Sequence, residues 1–238
     1  MSGPSEFRLD DVVAGPDAEP ILRGVTARIE CAGVTAVAGR SGAGKTTLLR
    51  LLDRLDDPRA GTVSWKGRPL TDWSPTELRR RVAMVFQRPP IFAGTVLDNL
   101  RVARSSLDEV DARAALDRVG LPGDLVDRTA SDLSGGEAQR MAFARALLTE
   151  PEVVLADEPT ASLDGAARGQ VEAVMAALAA DGIAVILVSH DTGQLRRLAD
   201  RAIVLDSGRA VASGAVRELD HHPDPIVRAA VGGGEEPS

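Results

Sequence analysis

The chain has 238 residues, of which 44% are hydrophobic and 26% charged, with a net charge of −7. These are ordinary values for a globular protein of one large or two small α/β domains, and the acidic balance argues against a general nucleic-acid-binding surface. No run approaches the roughly 18 apolar residues that cross a bilayer, and a single cysteine, Cys31, excludes an internal disulfide framework.

Phe7 to Val13 is expected to form an edge strand, and Pro16, Asp17 and Pro20 a turn. No basic segment followed by an apolar one opens the chain, so no signal peptide is expected and the cytoplasm is the expected compartment. Val25-Thr26-Ala27-Arg28-Ile29 alternates apolar and polar residues, as a half-buried strand does. Val34 to Ala38 is a short buried strand, and a helix with leucines at three- and four-residue spacing starts at Thr46. Thr62 to Trp65 enters a hairpin at Lys66-Gly67, Ser74-Pro75-Thr76-Glu77 opens a short helix, and Val82 to Phe86 is a strand with Gln87 at its end. Between about 87 and 150 the strand signals stop. Thr95 and Asp98 can cap one helix, Asp108 to Val119 forms another before Gly120, and a third runs from near Ser134 to Leu148. Val153 to Ala156, the helix Ala166 to Ala180 and the apolar strand Ile183 to Val188 then restore an α/β alternation, which implies a parallel sheet with helices on both faces. Ala202 to Leu205, the turn Asp206-Ser207-Gly208 and Arg209 to Ala212 make a last hairpin, and residues 231–238 are expected to be a disordered tail. The fold class is therefore α/β: a core with a mostly parallel sheet, antiparallel β elements at the N-terminus and a helical subdomain inserted at about 87–150, all within one domain of residues 1–230.

Gly39-Arg40-Ser41-Gly42-Ala43-Gly44-Lys45-Thr46-Thr47 fits G-x-x-x-x-G-K-[ST], the Walker A phosphate loop, and it stands between a predicted strand and a predicted helix, which makes the expected α/β core a P-loop NTPase core. Its backbone N–H groups and the positive end of the helix form an anion nest, Lys45 adds a compact charge for the β- and γ-phosphates, and the Thr46 hydroxyl is placed for Mg²⁺.

Ligands of open α/β sheets bind outside the carboxyl ends of the strands. Gln87, Asp157-Glu158 and His190 share that edge with the phosphate loop. The strand before Asp157 is expected to neighbour the phosphate-loop strand, which suits a carboxylate that holds Mg²⁺ directly or through water. Glu158 points differently and is the candidate general base. Asp-Glu-Pro is by itself a common charged turn; beside a phosphate loop the metal-and-base reading is favoured. His190 is a candidate γ-phosphate contact, against the alternative of a structural histidine. Gln87 either ligates Mg²⁺, holds a water or caps its strand. Leu133-Ser134-Gly135-Gly136-Glu137 carries a capping box, Ser134 with Glu137. The glycines are not needed for that box, and they make sense if a phosphate approaches the bare helix end.

This order of motifs, together with Ser162-Leu163-Asp164, resembles the ATP-binding cassette (ABC) ATPases over nearly the whole chain. The resemblance implies a head-to-tail dimer with ATP and Mg²⁺ sandwiched between the subunits. Ser134, Gly135 and Gly136 of one subunit would then face the γ-phosphate held by the other, and Asp164 would lie at the interface. One departure is that the family usually carries an adenine-stacking aromatic residue at the place of Gly15-Pro16, where this chain has none.

The leading function is an ATP-hydrolysing subunit that powers a transporter. Its expected partners are a membrane-spanning permease on a separate chain and a second ATPase subunit, in a homodimer, with no nucleic acid. The expected location is peripheral, on the inner face of the cell membrane. Pro89-Pro90-Ile91-Phe92 is either an apolar dock for the permease or ordinary subdomain core. The alternative is an ABC ATPase that drives a non-transport process, either envelope signalling or remodelling or a soluble nucleic-acid-linked role. Tandem cassettes or long coiled-coil insertions, usual in the soluble class, are missing here. Glu158 and His190 together argue against a regulator that does not hydrolyse.

Overall fold

The computed structural model describes residues 5–232. Glu6–Ala14 (β1) and Leu22–Glu30 (β2) bury every second or third side chain and expose the rest, the pattern of a sheet with one wet face. With Ala60–Trp65 (β4) and Arg68–Pro69 (β5) they form an antiparallel sheet in the order β2-β1-β4-β5. β1 is therefore an inner strand, paired on both sides, and not the expected edge. Its acidic pair Asp10-Asp11 sits at a bulge, where the register shifts and Asp11 takes a φ of 51°. The bulge accommodates charge in a paired strand. Lys66 and Gly67, with φ of 53° and 75°, make the expected hairpin turn.

The second sheet has the order β10-β9-β3-β8-β7-β6. Its strands are Val34–Ala38 (β3), Val82–Val85 (β6), Val153–Asp157 (β7), Ala184–Val188 (β8), Arg201–Asp206 (β9) and Arg209–Ala215 (β10). All neighbours are parallel except β10 on β9. Every residue of β3, β7 and β8 is buried, because both faces are covered.

The coverings differ. On one face lies the phosphate-loop helix Lys45–Leu52 (α1), itself roofed by the antiparallel sheet; Leu48, Leu52, Val37, Leu155, Ile186, Phe7 and Trp65 share that core. The expected two-sided helical cover is thus replaced on this face by a second sheet laid over α1. Leu48, Leu49 and Leu52 are fully buried, and each contributes roughly 1.5–3 kcal/mol of burial. That anchorage fixes the helix behind the phosphate loop.

The opposite face is covered by helices. Val96–Arg101 (α3), Glu109–Asp117 (α4) and Gly135–Leu147 (α5) follow β6 and cover this face, whereas Pro75–Arg81 (α2), which precedes β6, buries Leu78 in the core around α1. Gly165–Ala180 (α6), Thr192–Leu198 (α7), Val216–Leu219 (α8) and Pro225–Val231 (α9) complete the chain. Among the described residues no strand lies between β6 and β7. Thr95 and Asp98 form a reciprocal capping box on α3, as expected. α3, α4, α5 and α6 share one core with the strands, which includes Leu100, Leu116, Phe143 and Met175. Of the expected tail, Val231 lies in α9 and Gly232 follows it; residues 233–238 lie outside the described residues.

Candidate active site

The sheet order puts the carboxyl ends of β3, β8, β7 and β6 in a row, and with them the phosphate loop, His190, Asp157-Glu158 and Gln87. β8 lies between β3 and β7, so the Asp157 strand is not the neighbour of the phosphate-loop strand, contrary to expectation. β3, β7 and β8 are all buried throughout, so burial does not decide which of them lies between the other two. Contact is made across it. α1 starts at the end of β3, and Thr46 Oγ1 donates to Asp157 Oδ1 at 3.0 Å.

The loop itself is shaped by backbone proximity. A Cβ at Gly39, whose φ is 142°, would lie 2.2 Å from the Leu205 carbonyl oxygen at the end of β9. Only glycine lets the loop lie so close to the sheet edge. α1 begins after Gly44 with no side-chain cap and no acid in its first turn. By contrast Ser74, Thr95, Asp108, Ser134, Asp164, Asp191 and Asp224 each cap their helix with a side chain. The first N–H groups of α1 are thus left for an anion.

Lys45 is 6% exposed. Its Nζ donates to the Gly39 and Arg40 carbonyl oxygens at 2.8 and 3.0 Å. Burial pulls its pKa down, and the charges of Glu158 and Asp157 oppose that shift. Burial pushes the Asp157 carboxyl up, with the Thr46 hydroxyl working the other way. Glu158 has a φ of 45°, in the left-handed region, a conformation that costs a non-glycine residue about 1–3 kcal/mol. Its N–H donates to the Val188 carbonyl at 3.0 Å, and its Oε2 lies 3.3 Å from His190 Nδ1.

Thr46, Asp157, Glu158, His190 and Lys45 are thereby brought together. Gln87 lies on the same edge, exposed at the end of β6, and no side-chain hydrogen bond ties it to that group among the described residues. The hydroxyl of Thr46 and the carboxylate of Asp157 are hard oxygen donors at hydrogen-bond distance, the chemistry that Mg²⁺ selects.

Ser134 and Glu137 form the full capping box on α5, at 3.3 and 2.8 Å. Ser134 and Gly135 are exposed. Gly136 is buried, and a Cβ there would meet Ala167 Cβ at 2.7 Å. Close packing of α5 on α6 therefore explains Gly136 without a ligand, whereas Gly135 has only an ordinary contact, with Leu163 at 3.5 Å. Asp164 caps α6 through the Ala167 N–H at 2.8 Å. Ile91 and Phe92 are 37% and 43% exposed, so they are surface and not subdomain core. Asn99, fully buried, pins Phe92 by its N–H and its carbonyl at 2.8 and 2.9 Å, and the Arg145 guanidinium lies over the ring.

Sequence reasoning missed Gln139, which donates to the Phe86 carbonyl at 3.0 Å and ties α5 to the Gln87 loop. It also missed Arg168 and Gln194, whose partners lie on other elements. Asp191 was findable, as an acidic residue directly before a helix.

A family model described as ABC transporter matches residues 22–161. The chain is 38% identical over 229 residues to ABC transporter I family member 17 of Arabidopsis thaliana, covering 94% of this chain and 87% of that protein. It is also 38% identical over 230 residues to the phosphate import ATP-binding protein PstB 2 of Natronomonas pharaonis, covering 88% and 80%. Among solved structures, an Atm1-family bacterial ABC exporter with ATP bound matches with a TM-score of 0.84 at 28% identity, covering 96% of this chain and 42% of the exporter chain. The cbiO1 protein of Clostridium perfringens, part of the ABC transporter complex cbiONQ, matches with a TM-score of 0.78 at 25% identity, covering 94% and 98%. The chain belongs to the ABC transporter family, as one of its ATP-hydrolysing subunits.

Proposed function

We propose that two copies of this chain close head to tail on two ATP molecules and that closure drives a membrane-spanning permease carried on separate chains. The observation that supports this best is the division of the site. Thr46, Asp157, Glu158, His190 and Lys45 converge at one sheet edge. The Ser134–Gly135 turn is exposed and leans on Leu163, in the turn before α6, with no hydrogen bond to the phosphate loop among the described residues. A second subunit supplies the missing half: its exposed Ser134–Gly135 turn faces the γ-phosphate, and its Asp164 turn meets the facing one.

In this reading Thr46 and Asp157 would hold Mg²⁺, and Gln87, on the same edge, would be a further ligand. When bound, the ion draws charge from the β- and γ-phosphate oxygens. Lys45 and the open N-terminus of α1 hold the phosphates. Glu158 takes a proton from the attacking water, and His190 orients that carboxylate and contacts the γ-phosphate. No helix among the described residues is long and apolar enough to cross a membrane. The platform of Ile91 and Phe92, pinned by Asn99 and Arg145, is the dock for a permease helix. A chain docked in this way works at the inner face of the cell membrane.

Ser134→Arg is expected to abolish ATP-dependent dimerisation, because a long cation would face the partner subunit's phosphate loop. Sedimentation with Mg-ATP tests this: wild type sediments as a dimer and the variant as a monomer. The same ATP-dependent dimer from both overturns the head-to-tail reading.

The base is expected to be read loosely. Gly15 has a φ of 108°, and Ile21, 40% exposed, stands where an added Cβ at Gly15 or Gly44 would come within 3.0 or 3.3 Å of its side chain. An aliphatic wall of this kind offers a purine no hydrogen bond. ATP and GTP are therefore expected to differ in affinity by less than about a hundredfold, about 2.7 kcal/mol. Competition binding measures the ratio, and a larger preference shows that another group reads the base.

A further inference from the structure

Beside the Glu158–His190 pair lies a cavity of about 260 Å³ whose wall includes Arg168 of α6. Arg168 sits one turn beyond the α6 cap, its N–H donating to the Asp164 carbonyl at 2.9 Å. Its Nη1 donates to Asp191 Oδ2 at 3.0 Å. Its Nε is buried with no hydrogen-bond partner among the described residues, and Asp191 is the carboxylate that the guanidinium meets. The other oxygen of Asp191 accepts the Gln194 N–H at 2.9 Å and caps α7, and the Asp191 N–H donates to Ser189 Oγ at 3.0 Å. Both residues that flank His190 are thus held. Gln194, fully buried, closes the circuit: its Nε2 donates to Thr160 Oγ1 at 2.9 Å, in the turn that follows Glu158.

We propose that Arg168 is a positioning residue for hydrolysis: through Asp191 it fixes the His190 turn against Glu158 and ties that turn to the end of α6 that carries Asp164. The His190 side chain is 64% exposed and has Glu158 as its contact. Its ring has little packing to orient it, so its placement depends on the backbone beneath. Asp191 supplies that placement with two oxygens, one given to α7 and one to α6. Removing Arg168 releases the α6 tie and leaves the α7 cap. The Arg168 and Asp191 side chains are 38% and 33% exposed, and an ion pair so wet contributes little to stability. The pair is therefore better explained by geometry than by folding. The inference rests on the reading of Glu158 as the general base.

The test compares Arg168→Ala and Arg168→Lys, each in the wild-type and Glu158→Gln backgrounds, by kcat and KM for Mg-ATP and by melting temperature. Arg168→Ala is expected to lower kcat about tenfold, the scale of a modest misplacement of reacting groups, with KM changed less than about twofold. Arg168→Lys, which can still reach Asp191, is expected to restore most of the rate. In the Glu158→Gln background Arg168→Ala is expected to add no further loss, because the pair it positions is already disabled. A kcat within about twofold of wild type, equal losses for alanine and lysine, or an undiminished loss on top of Glu158→Gln overturns the Arg168 role alone. Near-normal turnover of Glu158→Gln by itself overturns the base assignment and this proposal with it. If Arg168→Ala melts early, Asp191→Asn decides: it keeps an acceptor for the α7 cap, loses the charge that Arg168 meets, and is expected to show the same kcat loss at an unchanged melting temperature.

Discussion

Lys45→Ala is expected to weaken Mg-ATP binding by about a hundredfold or more, a loss of at least about 2.7 kcal/mol. A hydrogen bond from a charged group is worth about 1.5–3 kcal/mol, and Lys45 offers several at one point. The structure adds a reason beyond charge. Nζ spans the Gly39 and Arg40 carbonyls, so the ammonium braces the loop that is to receive the phosphates. Reading Lys45 as a point charge with little packing role misses this brace; at 6% exposure the side chain is part of the loop's interior. Arginine is not expected to substitute, because a planar fork does not fit a niche built for a compact ammonium. The fold should survive, since Leu48, Leu49 and Leu52 anchor α1 independently. Titration calorimetry and a thermal melt test both halves of the claim. Wild-type affinity in the variant removes Lys45 from the phosphate site.

The parts of the fold that were legible in the sequence are those that local chemistry dictates. Ser134 and Glu137, three residues apart, can satisfy each other wherever α5 lies, and they do. The apolar run at β8 requires cover on both faces whatever the cover is made of. The strand-end position of Asp157, Glu158 and His190 follows from where the apolar runs stop. What was not legible depends on partners distant in the chain. The insertion of β8 between β3 and β7 is a choice of strand order, and periodicity carries no information on it. The inner position of β1 depends on its pairing with β4, some fifty residues on, as Phe7 with Trp65. The packing reason for Gly136 was hidden because Ala167, the residue it must clear, is on another helix. The link from Arg168 to Asp191 exists only once α6 and α7 are placed side by side.

Adjacent carboxylates permit the sharpest separation of roles. Glu158→Gln is expected to lower hydrolysis by roughly 10²–10⁴, the usual worth of a positioned base. Glutamine keeps the size of the side chain and an oxygen within reach of His190, now 3.3 Å from Oε2, but it cannot take a proton. It also keeps the strained backbone at φ 45°, which Val188 holds through the Glu158 N–H. Geometry is therefore preserved while basicity is lost. ATP binding should survive or tighten, because a negative charge near the γ-phosphate disappears, and the ATP-bound dimer should accumulate. Asp157→Asn is expected to behave differently. Asp157 is 7% exposed and already accepts from Thr46, so asparagine can keep that bond while losing the charge that a hard cation needs. Affinity for ATP should fall in the presence of Mg²⁺ and change little in EDTA, which narrows the gap between the two conditions. ATPase rates, size-exclusion profiles and binding with and without the metal distinguish the pair. Near-normal turnover in Glu158→Gln leaves His190 or the substrate phosphate as the base, and an undiminished effect of Mg²⁺ on binding in Asp157→Asn removes Asp157 from the metal site.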